Sequence, residues 1–184
     1  MIIPYQSYLY ILIFLSKLSV IENKTDLVRN NLHVISYQCK EDTIEFSFDL
    51  IGDKSNDIHG KWPKVDYYQI WVDFNNNQKV DSLIDRFFSP FSKKNTYEVC
   101  KSIMFSNNSS STCYFNSGAT CEKSFGISEN SKENHVMFKM TIPKKELSNS
   151  GIYNVYFEII DGNGIRCSYP INNQIFKKTF EITC

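Results

Sequence analysis

Between residues 43 and 50 the chain reads Thr-Ile-Glu-Phe-Ser-Phe-Asp-Leu, an alternation that puts Ile44, Phe46, Phe48 and Leu50 on one face of an extended strand. The same period returns along the chain. Residues 67–74 set Tyr68, Ile70, Val72 and Phe74 against Tyr67, Gln69 and Trp71 on the other face. Residues 135–142 align Val136, Phe138, Met140 and Ile142, and Pro143 closes the segment. Gly151 to Ile160 aligns Tyr153, Val155, Phe157 and Ile159. The hairpin signal Asp161-Gly162-Asn163-Gly164 follows, then a return strand through Ile165, Cys167 and Tyr169. A last strand, Lys178 to Cys184, carries Phe180 and Ile182. Helical periodicity is nearly absent, and Val80 to Phe87 has room for one short turn. Strands of this kind must each bury one face against a second layer. The expected fold is therefore all-β, an Ig-like antiparallel β-sandwich stabilised by disulfides.

Six cysteines, Cys39, Cys100, Cys113, Cys121, Cys167 and Cys184, all lie behind the apolar segment Met1 to Val20. Its core, Leu9 to Leu15, has the length of a secretion signal and is too short to span a bilayer. We expect residues 1–20 to be a signal peptide, cleaved near Ser19 to Glu22, and residues 21–184 to be a single secreted domain. No later stretch is apolar for long enough to cross a membrane, so the mature chain is expected to be soluble. The compartment would be extracellular or a lysosomal or vacuolar lumen. An even cysteine count there points to disulfides at all six positions, with connectivity left open; a local Cys113–Cys121 bridge is one reasonable choice. Sequons at Asn23, Asn107 and Asn108 mark glycosylation sites on a secreted surface.

Lys and Arg number 20 and Asp and Glu number 20, so a formal net charge of +0 offers no electrostatic footprint for nucleic acid. His33, His59 and His135 stand in no metal-ligand spacing, and the chain has no G-x-S-x-G or phosphate loop. The reading is a protein that is not an enzyme and needs no cofactor.

Cys100 closes an aromatic stretch and Cys113 follows a short loop. After the strand ending Met140-Thr141-Ile142-Pro143 comes Gly151-Ile152-Tyr153-Asn154-Val155, then the polar turn and Cys167. This order, over about 70 residues, resembles the ML lipid-recognition family. The sequence departs from the family pattern in having Tyr114 after Cys113 where proline is usual, an additional Cys121, and a tail beyond Cys167. The resemblance implies an Ig-like sandwich that holds a lipid or sterol between its sheets and docks on a membrane surface or a receptor. It implies pairing of Cys100 with Cys113 and of Cys39 with Cys167 or Cys184. The candidate cavity lining is Phe46, Phe48, Ile70, Val72, Phe138, Met140, Val155, Phe157 and Phe180. The alternative is a secreted Ig-like recognition module that binds a protein or glycan through its surface, with these residues packing a closed core.

Three further features invite a function. Asp73, Asn75, Asn77 and Asp81 have the oxygen-ligand spacing of a calcium loop, although Gln78 stands where an EF-hand has glycine, Ile84 stands where it has glutamate, and Asp85 comes one residue late. The pairs Lys93-Lys94, Lys144-Lys145 and Lys177-Lys178 offer contacts for anionic headgroups if they gather at a cavity mouth. Trp62-Pro63 and the aromatic run Phe87 to Phe91 offer membrane or partner contacts.

Overall fold

Twelve strands account for most of the computed structural model, which describes residues 19–22, 33–56, 67–93, 96–103, 112–160, 166–170 and 179–184. They are β1 (Ser19–Glu22), β2 (His33–Cys39), β3 (Thr43–Leu50), β4 (Tyr67–Asp73), β5 (Arg86–Lys93), β6 (Thr96–Ile103), β7 (Thr112–Tyr114), β8 (Thr120–Gly126), β9 (His135–Pro143), β10 (Ile152–Ile160), β11 (Arg166–Tyr169) and β12 (Phe180–Thr183). All pairings are antiparallel. The first sheet runs β1-β2-β3-β9-β8 and the second runs β11-β10-β4-β5-β6-β7, with β12 pairing β10 beside β11. Among the described residues no helix is long and apolar enough to cross a membrane.

The period-two faces become the interior. In the first sheet Ile44, Phe46, Phe48 and Leu50 stand opposite Ile142, Met140, Phe138 and Val136. In the second, Ile70 and Val72 stand opposite Phe157 and Val155. Both sets are buried and share one apolar cluster, so the two sheets pack face to face. Leu147, buried after a single 3-10 turn at Lys144–Glu146, belongs to the same cluster.

Local chemistry explains where pairing stops. β4 pairs β5 only from Ile70 to Val72, opposite Phe88 to Arg86. Two residues beyond Phe88 lies Pro90, which has no N–H to give a neighbour on that side but still pairs Val99 of β6. Pro143 ends β9, and Lys144 N–H turns instead to the Asp42 carbonyl at 2.8 Å. The turn foreseen after Val80 is present, with Asp85 N–H donating to the Asp81 carbonyl at 3.0 Å.

One disulfide joins the sheets. Cys39 at the end of β2 bonds Cys184, just beyond β12, with Cα atoms 5.7 Å apart. The second joins Cys100 of β6 to Cys113 of β7. These agree with the pairings the resemblance implied and select Cys184 for Cys39. Cys121 corrects the expectation of disulfides at every cysteine: its thiol is free. It points inward from β8, opposite Met140, and packs against the apolar cluster. Cys167 lies in β11, and its side chain is outside the described residues. Two disulfides are consistent with an extracellular or lumenal location.

Candidate functional site

Eight of the nine expected lining residues, from Phe46 to Phe157, are buried in the inter-sheet cluster, and Phe180 packs against it half-buried. Rings from opposite sheets touch. Phe46 and Phe48 of β3 meet Phe157 of β10 edge-on at 5.6 and 5.5 Å between centroids. Tyr68 of β4 lies 4.6 Å from both Phe48 and Phe138. These spacings are direct aromatic contact. The interior rings of the two sheets therefore fill the space between them here.

At one end of this interface an ion network replaces apolar contact. Arg86 of β5 and Lys101 of β6 both reach Glu146 on the 3-10 turn, at 2.9 and 3.1 Å, and all three side chains are less than one-fifth exposed. Arg86 also lies over the Phe74 ring, 3.9 Å from its centroid. Because Glu146 follows β9, the network pins the first sheet to the second.

The β4–β5 connection is the most densely bonded polar segment. Asp73, fully buried, accepts the backbone N–H groups of Asn77 at 3.1 Å and Gln78 at 2.7 Å. Asp85, also fully buried, accepts Phe74 N–H at 3.0 Å and Asp81 N–H at 2.6 Å. The amides of Asn75 and Asn77 both converge on Asp81 Oδ2. Burial pushes the Asp85 carboxyl up to about 6, against the pull of its two N–H donors and with help from the Asp73 and Asp81 charges. The Asn75 and Asn77 amides hold the Asp81 carboxyl below its usual range. Gln78 adopts φ +60°, the left-handed conformation that a glycine supplies at this place in a calcium loop. All four residues of the sequence pattern thus meet in one loop, joined by Asp85. The donor set is mixed carboxylate and amide: among the described residues no group of three or more His, Cys, Asp and Glu side chains is arranged to hold a metal ion.

The outer faces of the two sheets differ. On the first sheet Glu45 takes Lys40 at 2.6 Å and Lys139 at 3.3 Å, a solvated ion cluster. On the second, Trp71 and Tyr156 are buried and form a separate aromatic cluster with the half-buried Phe87, which lies 4.5 Å from Trp71. Further along the same face of β5, Phe91 meets Phe115 edge-on at 5.6 Å, and the two are 51% and 50% exposed. The run Phe87 to Phe91 lies in a strand that divides its rings: Phe88 enters the core, while Phe87 and Phe91 face outward. The partner rings Phe115 and Tyr156 carried no sequence signal, since only the sheet register brings them to this face.

Of the lysine pairs, Lys144 is half-buried and Lys145 exposed on the 3-10 turn. The side chains of the other two pairs, Trp62-Pro63 and the sequons at Asn23, Asn107 and Asn108 lie outside the described residues. Cys121 carries no reactive signature, since burial pushes its thiol up to about 12, with the Glu122 charge adding to the effect. No protein-family model, no curated protein and no solved structure matches the chain.

Proposed function

We propose that this is a secreted, non-enzymatic Ig-like recognition module that binds a protein or glycan partner through its surface. The supporting observation is the contact of Phe46 and Phe48 with Phe157 across the sheets, because a lipid between the sheets would have to displace these rings. The exposed Phe91–Phe115 pair is the surface feature on which we place the partner. The test is native mass spectrometry of the secreted protein before and after incubation with a mixed lipid panel. An unliganded mass in both spectra is expected. A stoichiometric co-purified lipid or sterol would overturn this reading and establish the ML-like carrier.

A second reading concerns the β4–β5 loop, and the left-handed Gln78 favours it. Rotating the Asn75 amide by half a turn would present an oxygen beside the Asp81 carboxylate on the loop's rim. Calcium takes six to eight oxygens, so water would complete its shell there. On this reading calcium raises the melting temperature, and Asp81→Ala removes the gain. No change in the wild-type protein at millimolar calcium would end it.

A further inference from the structure

His135, at the start of β9, is fully buried although it points to the outer face of the first sheet. What covers it is the β8–β9 connection, residues 127–134, which is tied to Asp49 of β3. Ser128 Oγ and Asn130 Nδ2 both donate to Asp49 Oδ2, at 2.6 and 2.7 Å. The imidazole sits between two acceptors. Its Nδ1 lies 2.8 Å from the Glu133 carbonyl oxygen, which can only accept, so Nδ1 carries a proton. Its Nε2 faces the same Asp49 Oδ2 at 3.7 Å and has no hydrogen-bond partner.

We propose that His135 and Asp49 form a pH-operated latch that fastens the 127–134 connection to the first sheet. A neutral ring turns a bare Nε2 lone pair toward a carboxylate in a place shielded from water. An imidazolium donates from both nitrogens, to Glu133 and to Asp49, and closing the 3.7 Å gap by less than 1 Å makes a charge-assisted hydrogen bond. No tautomer of the neutral ring satisfies both acceptors. Histidine is the side chain that takes its second proton between pH 5 and 8. Asp49 would then be drawn toward the ring together with its Ser128 and Asn130 donors, and the connection would tighten as the pH falls.

The other charged groups on the elements around the ring are Asp53, Lys54, Glu129, Lys132 and Glu133. Asp53, on the turn after β3, receives Ser55 on one oxygen. Lys54 pairs with the Glu133 carboxylate at the surface. Glu129 and Lys132 on the connection are solvent-exposed or nearly so. Strand β8 brings Gly126 opposite His135 and Phe125 beside it, neither charged.

The test is amide hydrogen exchange of residues 127–136 in the intact protein at pH 7.5 and 5.5, corrected for intrinsic rates. Protection is expected to rise by about tenfold at the lower pH in the wild type, the effect of one hydrogen bond to a charged group, and to be flat with pH in His135→Asn and Asp49→Asn. If Asp49→Asn does not fold, ring nitrogen shifts of wild-type His135 give the same answer. A doubly protonated ring at pH 5.5 supports the latch. A neutral ring at pH 5.5, flat wild-type protection, or a loss in His135→Asn equal at both pH values overturns it, the last being the mark of a merely structural histidine.

Discussion

Replacing Phe48 by alanine tests directly whether the sheets pack on each other. Its ring is fully buried and touches Tyr68 at 4.6 Å and Phe157 at 5.5 Å, both on the opposite sheet. Removing it deletes a large apolar side chain and leaves a cavity between two sheets whose neighbours, Phe46 and Phe138, are held by strand register. A Phe→Ala change in such a place costs about 3–5 kcal/mol. For a domain of this length that lowers the melting temperature by about 6–20 °C. The assay is urea unfolding followed by tryptophan fluorescence, with the midpoint falling and the slope unchanged. The rim residue Phe180, half-buried, provides the comparison and should cost clearly less. A loss below about 1 kcal/mol at Phe48 would refute the reasoning, because it would mean that the ring lines open space rather than bearing on the other sheet. It would also move the balance toward an interior that admits a ligand.

Further outcomes follow from the polar and covalent features. Asp85 has its carboxyl raised to about 6 from 3.8, so the folded state binds its proton more tightly than the unfolded state. Its ionisation therefore weakens the fold above pH 6, and that loss is recovered as pH falls toward 4; the whole effect is at most about 3 kcal/mol. Melting temperature measured from pH 7 to pH 4.5 should rise more steeply in the wild type than in Asp85→Asn, and parallel curves would contradict this assignment. Glu146→Gln leaves Arg86 and Lys101, both largely buried, without their carboxylate and should cost about 2 kcal/mol in chemical denaturation. The exposed Lys54–Glu133 pair should cost less than about 1 kcal/mol when broken in the same way. Cys39→Ser opens a loop of 145 residues in sequence and should cost about 2–5 kcal/mol, read as a shift in the denaturation midpoint.

Strands were legible in the sequence where one face packs and the other is wet. β3, β4, β9 and β10 fall within a residue or two of the alternating segments, and their inward residues form the core as expected. The strands without a signal break the alternation for physical reasons. β5 is apolar on both faces, since Phe88 enters the core while Phe87 stacks on Trp71. β6 puts Lys101 inward, where Glu146 neutralises it. β8 turns Cys121 and Lys123 toward the interior, and the lysine ends 5.1 Å from the Phe138 ring centroid. In each case a pairing across the sheets makes an inward charge or an outward ring tolerable, and no local pattern encodes such a pairing. His135 was unreadable for the same reason, because its burial depends on a connection anchored 79 and 81 residues away at Asp49.

The β4–β5 loop shows how a residue-type rule and the physics behind it come apart. Glycine is expected at the sixth place of a calcium loop because the backbone there must be left-handed. Gln78 takes that conformation all the same, as do Asn76 and Leu83 within the same connection. What holds them is visible: Asp73 grips the N–H groups of Asn77 and Gln78, and Asp85 grips those of Phe74 and Asp81. The strain of left-handed non-glycine residues, about 1–3 kcal/mol each, is offset by carboxylates that are themselves costly to bury. Two buried acids therefore fix the loop's shape from inside, with Asn77 Oδ1 accepting the Lys79 N–H at 2.9 Å, and this leaves the Asp81 carboxylate and the Asn75 amide free of that task on its exposed rim. Gln78→Gly separates the two roles. If the loop only connects strands, the glycine relieves strain and stabilises the protein with or without calcium. If it binds calcium, the same change should also tighten binding, because the backbone no longer resists the shape that the ion needs.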